Sequence, residues 1–225
     1  SGQVPGMKIW VALVSNEIRL YLAGRGLPFA FILALSLLAI FRFGMPVDGE
    51  GSHALEVFPV VVYCIANLQL LLMATQWESD GYAYRYYAMN RLSLSSLFFA
   101  KTMVAYLTQI PLWIFCIAGY FLFFPADVPP LPILLSVLGT ALHLGLALAP
   151  AGQLVAAVAQ HSGQKNFLAT ALFLPVCLPV LIAATGRLSA LLQGAETLRY
   201  DALIVAAALV FWGAGNLLFA YLFEE

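Results

Sequence analysis

Charge is scarce in this sequence. Asp, Glu, Lys and Arg make up 9% of its 225 residues, where a soluble domain carries roughly 25%. A chain this poor in charge cannot keep its surface in water, so a soluble globular fold is excluded for most of it. The formal net charge of −1 gives no basic surface for a nucleic-acid partner. Cysteine is nearly absent too. Cys64, Cys116 and Cys177 all fall inside apolar runs with no Cys-x-x-Cys, which argues against a disulfide framework or a thiolate metal site and for three small buried hydrophobes. There is no G-x-x-x-x-G-K-[ST] phosphate loop, so the chain cannot by itself bind and hydrolyse a nucleotide in the usual way. There is no H-E-x-x-H. Ser162 and Gly163 follow His161, but no Asp or Glu is placed to complete a triad, and an intramembrane enzyme is a distant reading. Repeats of 20–50 residues and low-complexity tracts are also missing.

What remains is apolar. Hydrophobic residues make up 63% and the mean hydropathy is +0.93. A hydrocarbon core of about 30 Å needs about 20 apolar residues per helix. Six stretches approach that length: 26–43, 54–76, 94–124, 131–159, 166–185 and 202–223. The third and fourth exceed one span, so each extends past the bilayer, bends or begins along the interface. Residues 1–6 (SGQVPG) read as a cloning scar or a disordered lead. Residues 7–225 read as a single transmembrane domain, with Met7 as the candidate native start. No cleavable signal peptide is expected, because Glu17 and Arg19 interrupt the first apolar pattern. Between Met7 and the first span, Ile9, Trp10, Leu13, Ile18 and Leu22 recur near helical spacing, with Lys8, Asn16, Glu17 and Arg19 on other faces. That pattern predicts an amphipathic helix lying in the interface. The fold class is therefore all-α: a polytopic membrane protein with six transmembrane helices and an N-terminal interfacial helix.

Orientation follows from Lys and Arg, which accumulate on the cytoplasmic side. With the N-terminus inside, Lys8, Arg19, Arg25, Arg85, Arg91, Lys101 and Lys165 face inward, against Arg42, Arg187 and Arg199 outside. Lys101 is the least secure of these, since it also fits inside the third span. Six spans then place both termini in the cytoplasm.

Three features stand out as candidates for function. His143 lies in an apolar stretch, and an ionisable group at membrane depth is a functional candidate by default. It could ligate haem iron or relay a proton, or simply hydrogen-bond a neighbouring helix. Pro175 and Pro179 are four apart, on one face of the fifth span. Each removes a backbone hydrogen bond, which predicts a kinked or re-entrant segment shaping a translocation path, or else a packing kink; Pro111 similarly bends the third span. The inner segment 77–91 (WESDGYAYRYYAMNR) sets Tyr82, Tyr84, Tyr86 and Tyr87 around Arg85, after Trp77, Glu78 and Asp80. An interfacial aromatic belt accounts for one or two tyrosines. Four, with their charges, fit a short cytoplasmic element docking on a partner, because Tyr and Arg are enriched at interface hot spots.

In order and spacing these features resemble the permease subunit of an ABC-2-type exporter. More narrowly, they resemble the haem exporter protein B (CcmB) family of cytochrome c maturation. The residues that carry this are Glu78-Ser79-Asp80-Gly81, followed by Ala100-Lys101. With them goes 152–183, running into Leu174-Pro175-Val176-Cys177-Leu178-Pro179-Val180-Leu181-Ile182. The resemblance covers roughly 11–187. Family members often carry an acidic Leu- and Pro-rich segment after the Asp-Gly, where this chain has Tyr84-Arg85-Tyr86-Tyr87. The resemblance implies a bacterial inner-membrane protein that pairs with a second copy of itself. Each copy would rest on a separate cytoplasmic ATPase, which supplies the ATP site, and engage it through Trp77, Glu78, Asp80, Tyr84, Arg85, Tyr86 and Tyr87. It also implies a haem-handling membrane subunit as a further partner and haem, or haem release, as the process driven. No cofactor is assigned to this chain itself. The competing readings are a generic ABC-2 permease for a lipid, glycan or drug, and a non-transporting membrane scaffold.

Overall fold

A computed structural model describes residues 11, 14–15, 18–19, 26–44, 54–79, 94–124, 129–160 and 165–222. These form an all-helical bundle. Six helices follow in order: α1 (Gly26–Gly44), α2 (Ala54–Ser79), α3 (Leu94–Phe123), α4 (Leu131–Gln160), α5 (Lys165–Leu192) and α6 (Leu198–Leu222). Five of them, all but α2, are long and apolar enough to cross a membrane; the apolar part of α2 is the shorter stretch Val57–Leu72.

Every element is a helix because lipid offers the backbone no partner, so each N–H and C=O must be satisfied within its own segment. Successive helices run antiparallel, as their level contacts demonstrate. Gly119 on α3 packs on Leu38 and Leu35 of α1. Trp113 of α3 donates its indole N–H to the Val137 carbonyl of α4 at 3.0 Å. The fifth and sixth helices meet at their connection, where Gly186 packs on Tyr200. Helix α1 lies against α2 and α3, α4 touches every other helix except α1, and α6 flanks α3, α4 and α5.

The core combines large aromatic side chains with small ones. Trp113, Tyr63, Tyr120, Phe98 and Phe173 are among its largest fully buried side chains. Near the end that carries Gly44 and Leu131, aromatics stack across three elements: Phe41 on Phe58 at 5.0 Å, Phe58 on Phe124 at 5.5 Å and Tyr120 on Phe124 at 4.7 Å. The middle of α4 is built instead from small residues. Ala147, Ala149, Ala151 and Gly152 are buried, which lets backbones approach closely, as membrane helices require. Pro150 sits within this run. Its missing N–H deprives the Leu146 carbonyl of its usual donor, and the indole N–H of Trp212 on α6 donates to that carbonyl at 3.1 Å. The proline thus creates an acceptor that ties α4 to α6.

The outward surface is apolar as well. Ile32, Leu122, Leu135, Phe167, Ile182, Leu209 and Leu217, from five of the six helices, are all exposed, as helices that face lipid require. Before α1, residues 11, 14–15 and 18–19 are helical, with Val14 and Ile18 packed on the core and Val11, Ser15 and Arg19 exposed. The other residues of the expected interfacial helix lie outside the described residues. The three cysteines are buried and unpaired. Lys101 lies inside α3 and is buried.

Candidate functional site

A cluster of polar side chains closes one end of α4, α5 and α6. Ser136, Thr140 and His143 are spaced i, i+4, i+7 on α4, which places them on one face over two turns. That face meets the last two turns of α5, where Arg187 sits, and the first turn of α6, where Asp201 sits.

Two local devices bring Arg187 and Asp201 together. Helix α5 ends in a Schellman motif: Ala195 N–H donates to Ala190 C=O at 2.8 Å and Gly194 N–H to Leu191 C=O at 3.3 Å. Gly194 takes φ +68°, a conformation glycine adopts without a Cβ clash. The chain then reverses over 193–197, and the Thr197 carbonyl accepts the N–H groups of Tyr200 and Asp201 at 2.9 and 3.0 Å. The second device is Gly186. A Cβ there would lie 2.8 Å from ring atoms of Tyr200, so only glycine lets the first turn of α6 approach α5 this closely.

The resulting network is nearly complete. The Arg187 Nε donates to Asp201 Oδ1 at 2.6 Å, and one of its terminal nitrogens donates to Thr140 Oγ1 at 2.5 Å and to the Ser136 carbonyl at 3.2 Å. Thr197 donates its hydroxyl to Asp201 Oδ2 at 2.8 Å. The Arg187 side chain is 9% exposed and that of Asp201 24%. The pair is charge-balanced, which makes its placement in an apolar bundle tolerable. His143 places Nε2 at 3.6 Å from Asp201 Oδ1, an electrostatic contact too long for a hydrogen bond. Its Nδ1 lies 3.4 Å from the Gly139 carbonyl.

The chemistry available here is cohesion between helices and shared charge. Ser136 donates its hydroxyl to Pro132 C=O and not to His143, so no base activates it. Among the described residues no three His, Cys, Asp or Glu side chains gather as a metal site. What the cluster does is hold three helix ends together through one guanidinium, so that separating α4 from the α5–α6 turn would break at least two charge-assisted bonds.

Of the residues singled out in the sequence, His143 belongs to this cluster. Pro175 and Pro179 do lie on one face of α5, but that face is the outside of the bundle: both are exposed, and α5 is helical throughout. They do not join His143, which faces Asp201. The bend expected at Pro111 likewise falls within a continuous α3, with Pro111 exposed. Trp77 and Glu78 lie in the last turn of α2, with their side chains outside the described set. Asp80, Tyr84, Arg85, Tyr86 and Tyr87 lie outside the described residues. Arg187 and Asp201 are the functional candidates that sequence reasoning missed. Arg187 reads there as an outer-face charge and Asp201 as a residue just before the last span. The available signal was Gly194 with Thr197, a helix stop followed by a helix start.

No family model, curated protein or solved structure matches the chain.

Proposed function

We propose that this chain is the transmembrane permease subunit of an ABC exporter, powered by a separate cytoplasmic ATPase and acting in haem export or haem release during cytochrome c maturation. The observation that carries the reading is the order of features along the sequence. An amphipathic lead precedes a six-helix apolar chain, a Tyr- and Arg-rich connection follows the second helix, and Pro-x-x-x-Pro marks the fifth. The absence of any phosphate loop in the sequence means that work must reach the chain through a contact.

All six helices span in this reading. Helix α2 has 26 residues, about 39 Å at 1.5 Å per residue, and it has to traverse because α1 ends and α3 begins at opposite ends of the bundle. In this reading the Lys and Arg bias puts both termini in the cytoplasm, and the resemblance implies a bacterial inner membrane. Residues 80–93, which lie outside the described residues, then fall on the inner side, opposite the Arg187 cluster, and form the longest stretch between consecutive described helices. It is the element suited to receive force from the ATPase, while the Arg187–Asp201 cluster braces the outer end against which the helices tilt. The outward Pro face of α5 suits a protein contact. Pro175 and Pro179 deprive the Ala171 and Pro175 carbonyls of their ordinary donors, and a second copy or the haem-handling subunit would shield them better than lipid does.

The test is association with the ATPase. Truncating an aromatic or arginine hot spot costs about 2 kcal/mol or more, roughly a thirtyfold loss of affinity. Tyr86→Ala and Arg85→Ala are expected to weaken ATPase pull-down, or to uncouple hydrolysis from transport, while the protein still inserts. Glu78→Ala acts likewise if it pairs with a basic groove. Wild-type binding and coupling in all three variants would place the docking surface elsewhere.

A generic ABC-2 permease for a lipid, glycan or drug keeps this mechanism and changes the cargo. A haem-free complex that couples ATP hydrolysis to one of those substrates would favour it.

A further inference from the structure

Halfway along α2 and α3, the bundle buries polar atoms that it does not satisfy. Asn67 is wholly buried, and neither its amide nitrogen nor its oxygen has a hydrogen-bond partner. On α3 the Thr102 hydroxyl and the Gln109 amide nitrogen are in the same position. Gln109 is engaged only through its oxygen, which accepts from the Tyr63 hydroxyl at 3.3 Å.

The register brings these groups onto one seam. Tyr63 meets Gln109 by that hydrogen bond and Trp113 edge-on at 5.3 Å. Since α2 and α3 are antiparallel, a step of one turn from Tyr63 to Asn67 matches a step of one turn back from Gln109, to Ala105, and Thr102 follows within the next turn. On α3, positions 102, 105 and 109 share a face; on α2, so do 63 and 67. The stripe runs about 10 Å along the helix axes. Across from it, α4 presents Gly145, whose added Cβ would lie 2.9 Å from Tyr106 and 3.4 Å from the Gln109 oxygen. The Tyr106 ring packs against α4 there, so Gly145 and Tyr106 close the seam beside Gln109.

Orphaned donors and acceptors at the centre of an apolar bundle are strongly unfavourable. Leu, Val and Leu at these three positions would fill similar space with no such penalty. The orphan atoms include donors (the Asn67 and Gln109 amides), an acceptor (the Asn67 oxygen) and a hydroxyl that is both. Spread along the stripe, they call for several small molecules, each able both to donate and to accept. We propose that the α2–α3 seam is an internal water-binding site, a hydrated stripe at mid-bundle lined by Asn67, Thr102 and Gln109 and walled by Tyr63. Buried water makes two to four such bonds to polar groups that the protein leaves open. In a permease, this is the stripe at which polar groups of a cargo would exchange with water. The hydration itself does not depend on that role.

The test uses the purified full chain in lipid nanodiscs and water as its own probe. A millisecond X-ray pulse generates hydroxyl radicals from bound water in place, and mass spectrometry reads which side chains they label. Tyr63 is fully buried, yet it is expected to label at a rate near that of the partly buried Tyr200. Phe173, equally buried on α5, is expected to stay at least tenfold slower. Asn67→Leu with Thr102→Val and Gln109→Leu is expected to lower Tyr63 labelling at least tenfold and to leave the melting temperature unchanged or higher. Should the triple variant fail to fold, Asn67→Leu alone is read, with a several-fold drop expected. Tyr63 labelling as slow as that of Phe173 in the wild type would overturn the proposal. Labelling that persists in the folded variants would overturn the assignment to these side chains.

Discussion

Removing one partner of the Arg187–Asp201 pair is expected to cost more than removing both. In Asp201→Leu the guanidinium, 9% exposed, keeps only the Thr140 hydroxyl and the Ser136 carbonyl. A buried ion without its counter-charge costs about 3–5 kcal/mol. In Arg187→Met the carboxylate retains the Thr197 hydroxyl and, at 24% exposure, some access to solvent. That loss is smaller, about 2 kcal/mol, the value of one charge-assisted hydrogen bond. The double variant leaves no stranded charge and two apolar side chains of suitable length, so it should lie within about 1 kcal/mol of the wild type. The coupling between the two sites is then about 4–6 kcal/mol, far outside the ~0.5 kcal/mol within which independent sites add. The assay is thermal unfolding of the purified protein in detergent, with the four members of the cycle side by side. At about 2–4 °C per kcal/mol for a chain of this size, Asp201→Leu should lose on the order of 10 °C and the double variant only a few degrees. Additive shifts would refute the claim that these two residues brace the ends of α4, α5 and α6 as a unit.

Two further outcomes follow from topology and from proline placement. Cysteines introduced at Asp48 and Asp127 should react with an impermeant thiol reagent from outside, and one at Gly163 only from inside; labelling of Gly163 from the periplasm would reverse the orientation. Pro175→Ala with Pro179→Ala restores two helical hydrogen bonds on an exposed face. The fold and its melting temperature should therefore survive or improve, while transport falls if the proline face sets the path or partner contact of α5; normal transport would leave the prolines without a functional role.

The sequence made some of this readable and hid the rest for physical reasons. Six apolar stretches are visible because hydropathy reports the lipid requirement directly, and five of the six helices carry it in full. His143 is visible because a lone ionisable group stands out among leucines. Its partners are not. Hydropathy ends the fifth span at 185 and opens the last at 202, leaving 186–201 as a loop. In the structure Arg187 and Asp201 neutralise each other, so both helices run on through charged residues and the connection shrinks to 193–197. A window average cannot distinguish a charge in a loop from a charge with a partner across the bundle. The prolines show a second limit. Their spacing of four fixes a common face, but in lipid the outward and inward faces of α5 are both apolar, so the pattern does not say which face it is. The orphan atoms of Asn67, Thr102 and Gln109 are a third. Each residue is unremarkable in sequence, and only the antiparallel register of α2 and α3 aligns them.

The most direct test of the permease assignment is purification of the tagged chain from its native membrane, followed by identification of what comes with it and measurement of ATP hydrolysis. The account predicts that an ABC ATPase co-purifies, that hydrolysis belongs to the complex, and that the chain stripped of its partner is inert. Robust hydrolysis by the isolated chain, or full transport by a preparation free of any ATPase, would contradict it.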